Sequence, residues 1–432
     1  MGNPGPDNQR AGLKSEGRGR RMQLRKVEVT HEIQRGQGAG GLFYREDVRT
    51  LLPRLLKEYA GKVQLIYLDP PFQTGHTFSM RVRVGEKEWK SGNGTLNQSA
   101  YDDSMSGEKY LEMMRQVLTQ CKKLLSETGV IYLHIDYRMH AHLRLMMDEI
   151  FGESNLLNEI IWTYQTGGRA RRYFSRKHDI ILFYRRSPRY YFNIEAVPIN
   201  RVETRRNHMK KHVDPDGRVY RSIRSGGKIY TYYDDEPAYP GDVWDDVSHL
   251  QQKDPQRTGY DTQKPLKLLE RIILSSSRPG DLVMDFFSGS GTSLEAAMLS
   301  GRRFVGGDVG AFSLQTVRRR LVGCPVEYFA PACPGQPAVS AEMYSGIAYY
   351  EISLTGYVME GGVCARNFSG LDAVDGWSAG YLRGGEFLSL AHEMRSKQAP
   401  ALKGRLEIPV LSGEPCIRVS DVMGRYFYYV IE

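Results

Sequence analysis

Leu65-Ile66-Tyr67-Leu68-Asp69-Pro70-Pro71-Phe72 is an apolar, β-forming run that ends in an acid, two prolines and an aromatic ring. Proline fixes φ and donates no backbone hydrogen bond, so the strand must stop there, at a sheet edge. In an open α/β sheet the carboxyl edge of the strands is where ligands bind. The stretch offers that edge a carboxylate (Asp69), a backbone carbonyl (Pro70), a second proline (Pro71) and a flat ring (Phe72). These groups suit a planar substrate that carries an amino group.

Outward from this stretch, strand and helix signals alternate. Leu42-Phe43-Tyr44 reads as a short strand, and Leu51, Leu52, Leu55 and Leu56 give Val48–Tyr59 helical spacing. Gln73 to Ser99 is polar with no sustained period, which predicts a loop over the catalytic edge. An amphipathic helix over 108–125 precedes a buried strand, Val130–Asp136, then a helix from Met139 to Ile150. Ile160–Trp162 and Ile180–Tyr184 are two further strands. The alternation predicts a mostly parallel sheet with crossover helices, an α/β fold. His134, His140 and His142 lie close together but without carboxylates at metal spacing, so no metal site is expected.

A second nucleus lies later in the chain. The strand Asp281–Phe287 runs into Ser288-Gly289-Ser290-Gly291-Thr292, a helix, and a strand ending in Asp308. The glycines allow close backbone approach to a ligand, and the helix start offers N–H groups to an anion such as a carboxylate. A nicotinamide site would need a small residue where Leu294 stands. Asp308 is placed for ribose hydroxyls. Between the nuclei, Arg169, Arg171, Arg172, Arg176 and Lys177 alternate with Tyr164, Tyr173 and Phe174. A second basic run spans Arg201 to Arg224. Cations neutralise phosphates and aromatics stack on exposed bases, so this insertion is expected to contact nucleic acid.

The 432-residue chain carries a formal charge of +9, which favours an anionic partner. No apolar run approaches a membrane span and no secretory leader is evident. The five scattered cysteines never form C-x-x-C, which argues against a disulfide framework or zinc site and for a cytoplasmic setting. Residues 1–40 are expected to form a basic mobile arm, 41–325 one α/β domain, 326–339 a linker, and 340–432 a small β-rich domain. The α/β domain divides into a catalytic half (41–190), an insertion (about 163–258) and a later half (259–325).

Asp69-Pro70-Pro71-Phe72 resembles the D-P-P-[FY] motif of the amino-group DNA methyltransferases. Gln263-Lys264-Pro265, followed by Asp285 and Phe287-Ser288-Gly289-Ser290-Gly291-Thr292, is similar to that family's cofactor half. The catalytic motif comes first and the cofactor motif last, the order called β class. Leu124-Leu125-Ser126, Ile135-Asp136 and His178–Tyr184 resemble the adenine-methylating subunits of type III restriction–modification systems.

The resemblance implies a Rossmann-like, seven-stranded S-adenosylmethionine-dependent methyltransferase sheet with an inserted DNA-recognition region and a β-rich appendage. It implies S-adenosyl-L-methionine held by Gln263, Lys264, Asp285, Phe287, Gly289, Gly291, Thr292 and Asp308, and catalysis by Asp69 to Phe72. Double-stranded DNA is the implied substrate, methylated on adenine N6, with a homodimer and a restriction subunit as open possibilities. Cytosine-N4 methylation, or a DNA-binding relative without activity, are the alternatives. Two positions depart from the family: Gln73 where Asn is usual, and Phe286 where Pro is frequent.

Overall fold

Three strands precede Gly41, where the sequence suggests a mobile arm: Arg20–Arg21 (β1), Leu24–Val27 (β2) and His31–Gln34 (β3). The computed structural model describes residues 20–73, 75, 77–91, 96–102, 105–164, 170–199, 209–251, 253–360, 368 and 370–432. The first 19 residues of the expected arm lie outside these. Glu32 shows what holds β3 in the fold. Its buried carboxylate accepts from Arg318 at 2.5 Å, Arg418 at 2.6 Å and Tyr428 at 3.0 Å. Burial alone would raise its pKa, yet the two guanidiniums hold it below the ordinary value. These partners are hundreds of residues away, so no local pattern announces the strand.

Gly41–Arg45 (β4), Val48–Tyr59 (α1) and Val63–Leu68 (β5) form the first β-α-β unit. Asp47 caps α1, accepting from the Arg49 N–H at 2.8 Å. The stretch expected as a loop instead folds as Thr77–Val82 (β6), Gly85–Ser91 (α2) and Leu96–Asp102 (β7), with β6 antiparallel to β7. Met80, Val82 and Val84 pack on Tyr260, Phe312 and Val422, partners far along the chain. Gly107–Leu124 (α3), Leu125–Ile135 (β8), His140–Phe151 (α4), Leu156–Thr163 (β9) and His178–Arg185 (β10) follow. The insertion holds an antiparallel sheet of Lys210–Val213 (β11), Val219–Ser225 (β12) and Lys228–Tyr233 (β13), then Val243–Trp244 (β14).

Leu266–Ser276 (α5), Leu282–Asp285 (β15), Thr292–Leu299 (α6), Arg303–Asp308 (β16), Ala311–Arg320 (α7) and Val326–Phe329 (β17) complete the helical part. The remainder is all strand: Ala338–Ser345 (β18), Tyr349–Val358 (β19), Val374–Arg383 (β20), Glu386–Met394 (β21), Arg405–Pro409 (β22), Glu414–Asp421 (β23) and Tyr426–Ile431 (β24).

One mixed sheet runs in the order β14-β9-β10-β8-β5-β15-β16-β4-β17-β3-β21-β20-β23-β24-β2. β8, β5, β15, β16, β4 and β17 are mutually parallel, while β10 is antiparallel to β8 and β9. Part of the expected linker, Val326–Phe329, is thus a sheet strand, and β21, β20, β23 and β24 continue the same sheet through β3, while β18, β19 and β22 form a second sheet with β1. Alternate residues of β5 face opposite layers. Leu65 and Tyr67 pack toward α5, α6 and α7, and Ile66 and Leu68 toward α1, α3 and α4. Being covered on both faces makes Leu65–Leu68 an unbroken apolar run. Among the described residues no helix is long and apolar enough to cross a membrane. Cys121, Cys324, Cys333 and Cys416 are buried free thiols, and Cys364 lies outside the described residues.

Candidate active site

Strand register gathers the acids. Leu65 and Ile66 of β5 pair with Val283 and Met284 of β15, and Asp285 pairs with Gly306 of β16. Asp69, Asp285 and Asp308, at or just past the ends of three adjacent parallel strands, therefore share one edge. A cavity of about 210 Å³ opens there, lined by these acids with Pro71, Lys264, Phe287, Gly289 and Thr292. The two sequence nuclei, more than 200 residues apart, meet in it.

The Lys264 ammonium donates to Asp69 Oδ2 at 2.6 Å and stands 5.1 Å from the centre of the Phe72 ring. Lys264, expected to serve the cofactor, thus also touches the catalytic motif. Its carbonyl accepts from Thr292 Oγ1 at 3.3 Å, which ties it to the start of α6. Asp69 Oδ1 is buried and has no hydrogen-bond partner among the described residues. A buried carboxylate oxygen without a donor is costly, so this atom marks where an N–H from outside the chain fits.

The glycine turn is built for close approach. Gly289 (φ 49°) donates to Asp308 Oδ2 at 2.8 Å, and Gly310 N–H donates to Oδ1 at 2.7 Å. Gly291 (φ 75°) does not line the cavity; it lets the chain turn into α6 against Val317. Gln263 does not line it either. Its amide accepts from Thr258 Oγ1 at 2.8 Å and donates to the Gln256 carbonyl at 2.7 Å, bracing the loop before α5. Pro70 and Phe72 flank the cavity lining without belonging to it, whereas Phe287 faces it.

Asp285 is wholly buried. Burial pushes its pKa up to about 7 against the donors Ser293 Oγ and Phe287 N–H, and Asp69 and Asp308 add to the rise. A folded-state pKa above the unfolded one means that the folded protein holds a proton the unfolded chain releases. Stability attached to this group is therefore full below about pH 4 and falls as pH rises toward 7. Asp285→Asn escapes that loss. Its Tm without ligand is expected to match the wild type near pH 4 and exceed it increasingly up to pH 7; parallel Tm curves would refute the buried proton.

A buried chain of polar groups beneath the motif escapes sequence reasoning. The Tyr67 hydroxyl lies 2.9 Å from His134 Nδ1, and His134 Nε2 lies 3.2 Å from Asp179 Oδ2. Burial would raise Asp179, but the His134 bond holds it below the ordinary range. His134 also sits 6.0 Å from the Phe72 ring and edge-on to Trp162. Sequence spacing suggests only that the histidines bind no metal; the partners come from β5 and β10, which flank β8. Among the described residues no cluster fit for a metal occurs.

Arg171, Arg172 and Arg176 are exposed, Lys177 is half-buried, and Arg169 lies outside the described residues. Arg171, Arg172, Arg176 and Lys177 occupy the β9–β10 connection, at the same edge as Asp136, since His178 pairs with Thr163 and Ile180 with Ile135. Part of the second basic run is neutralised internally: Arg218 bonds Asp235 at 2.8 Å and Arg221 bonds Asp234 at 3.1 Å. Arg201, Arg205 and Arg206 lie outside the described residues.

The strand-end acid Asp69, the glycine turn at Gly289 and the strand-end carboxylate Asp308 thus line one cavity, with Phe72 beside it. Residues 63–318 match a family described as DNA methylase. The type II methyltransferase M.EcaI of Enterobacter cloacae is 30% identical over 326 residues, 65% of this chain and 69% of that one. The DNA adenine methyltransferase YhdJ of Escherichia coli K12 is 27% identical over 274 residues, 62% and 80% of the two chains. The StyLTI Mod subunit, a type III restriction–modification enzyme of Salmonella typhimurium LT2, is 25% identical over 342 residues, 63% and 52%. The chain belongs to the DNA methylase family. It is a DNA methyltransferase.

Proposed function

We propose that the protein methylates adenine N6 at a specific site in double-stranded DNA, with Asp69, Pro70 and Phe72 handling the base and the Gly289 turn, Asp285, Phe287 and Asp308 holding the cofactor. The observation that carries this reading is the buried, unpartnered Asp69 oxygen beside the cavity that the glycine turn lines. An adenine amino lone pair is delocalised into the ring and is a poor nucleophile. Accepting its two N–H bonds, at Asp69 and at the Pro70 carbonyl, draws the nitrogen toward tetrahedral geometry and frees the lone pair. Phe72 offers the face on which a base turned out of the duplex can stack. Lys264, now on Asp69 and near that face, has to give way or swing aside as the base enters. S-adenosylmethionine, when bound, supplies a methyl already activated by its sulfonium, so the residues' task is alignment.

In the same reading β9, β10, β8, β5, β15, β16 and β4 are the seven strands of the methyltransferase sheet, and residues 163–258 recognise the target sequence. Residues 1–40, 326–339 and 340–432 then stand outside the catalytic fold as entry, connection and appendage, although several of their strands extend its sheet. The expected setting is the cytoplasm; a homodimer and a restriction subunit fit the reading. Single-molecule sequencing of DNA from cells that express the protein tests it, with N6-methyladenine in one sequence context expected. N4-methylcytosine, or no modified base, would overturn it.

The arginines of the β9–β10 connection should carry DNA affinity. Replacing Arg169, Arg171 and Arg172 together with alanine is expected to weaken binding and flatten its salt dependence. The log–log slope should shrink by about 0.9 for each phosphate that is no longer neutralised. An unchanged slope in a filter-binding salt titration would return these arginines to a solvated surface.

A further inference from the structure

Phe174 has no role in the chemistry above, and its position is unusual. It is 98% exposed, with Tyr173 at 61% and Tyr137 at 45% beside the same edge. Burying a phenylalanine is normally favourable, so a fully exposed one next to a binding edge is informative.

Its surroundings are held in place. Tyr164 N–H donates to the Lys177 carbonyl at 2.9 Å, which closes the base of the connection. Ala170 N–H donates to Ser175 Oγ at 3.0 Å near its tip. The Arg176 guanidinium lies 4.0 Å from the Tyr137 ring centre and 5.0 Å from that of Tyr173, pinning the connection to the residues after β8. β8 is the neighbour of β5, the strand that delivers Asp69. Phe174 therefore projects from a braced ledge on the catalytic side, flanked by exposed Arg171, Arg172 and Arg176.

We propose that Phe174 is a wedge that enters the DNA stack at the target step and fills the gap left by the base turned out toward Phe72. The arginines fit the phosphates on either side, and an exposed apolar ring is the kind of side chain that separates base steps. The inference rests on the adenine reading above. Turning a base out leaves an unstacked hole in the duplex; a ring of base-like thickness restores stacking on its neighbours. Phe174 acts on the DNA alone and does not touch the cofactor cavity.

The test uses the full-length protein and duplexes carrying its mapped site. Wild-type transfer of labelled methyl to adenine N6 in the paired duplex, measured alongside, checks the parent reading independently. With that transfer intact, Phe174→Ala is expected to slow single-turnover methylation of the paired duplex at least about tenfold. It should have little effect on a duplex with an abasic site opposite the target adenine, where extrusion is cheap. Equal loss on both duplexes, or no loss on either, would overturn the wedge. A direct readout is Phe174→Trp. The four native tryptophans, Trp89, Trp162, Trp244 and Trp377, are buried, so a DNA-dependent change beyond that of the wild type reports position 174. Quenching on binding the duplex is expected from stacking among bases; unquenched emission from the bound complex would refute it.

Discussion

Asp69→Ala is expected to leave cofactor affinity near wild type while methyl transfer slows at least a hundredfold, about 3 kcal/mol of transition-state stabilisation. The bond it would accept strengthens as the amino nitrogen pyramidalises, so its loss falls on the transition state rather than on binding. Its surroundings sharpen the expectation. Asp69 Oδ1 is buried without a donor among the described residues, while Oδ2 holds the Lys264 ammonium at 2.6 Å. Alanine therefore also leaves a largely buried ammonium unpaired, which can disturb the fold locally. Asp69→Asn is the control: it keeps the shape and one acceptor but turns the other atom into a donor, and it should be nearly as slow. Single-turnover transfer at saturating cofactor measures both. Near-normal transfer in either variant would remove Asp69 from the chemistry.

Gly291→Val should act on the other side of the cavity. Gly291 has φ 75° at the N-cap of α6, and a Cβ built there would sit 2.7 Å from Val317 Cγ2. A β-branched residue is strained in the left-handed region by roughly 1–2 kcal/mol before the clash with α7 is counted. The turn must move, and with it the Gly289 N–H that Asp308 grips at 2.8 Å. S-adenosylmethionine affinity is expected to fall more than about tenfold, the effect of roughly 1.4 kcal/mol. Calorimetric titration measures this, and a melting curve of the same variant separates two origins. A lowered Tm with unchanged cofactor affinity would make Gly291 a packing glycine only.

The two motifs illustrate what chain-local reasoning can reach. Asp69–Phe72 and Ser288–Thr292 are legible because each combines an apolar strand with residues that end it in a known way, and both effects act within a few residues. Lys264 was legible as part of a motif but not as the partner of Asp69, 195 residues away. Gln263 belongs to the same motif, yet its amide bonds bind the 256–263 loop rather than facing the cavity. His134 appears from spacing as one of three unremarkable histidines. Its bonds to Tyr67 and Asp179 exist only because β5, β8 and β10 lie side by side.

The α/β class, the two motifs, their order and the basic aromatic insertion were determined by sequence alone, because hydrophobic periodicity and turn chemistry are short-range properties. Tertiary structure alone decided that residues 20–34 hold three strands, that Thr77–Asp102 is more than a loop, and that four of the C-terminal strands, β20, β21, β23 and β24, continue the main sheet. The reason is common to all three. Glu32 is stabilised in the interior by Arg318, Arg418 and Tyr428, and Met80 and Val82 by Tyr260, Phe312 and Val422. These segments take their form from charge compensation and burial against distant partners, and such partners become neighbours only when the chain has folded.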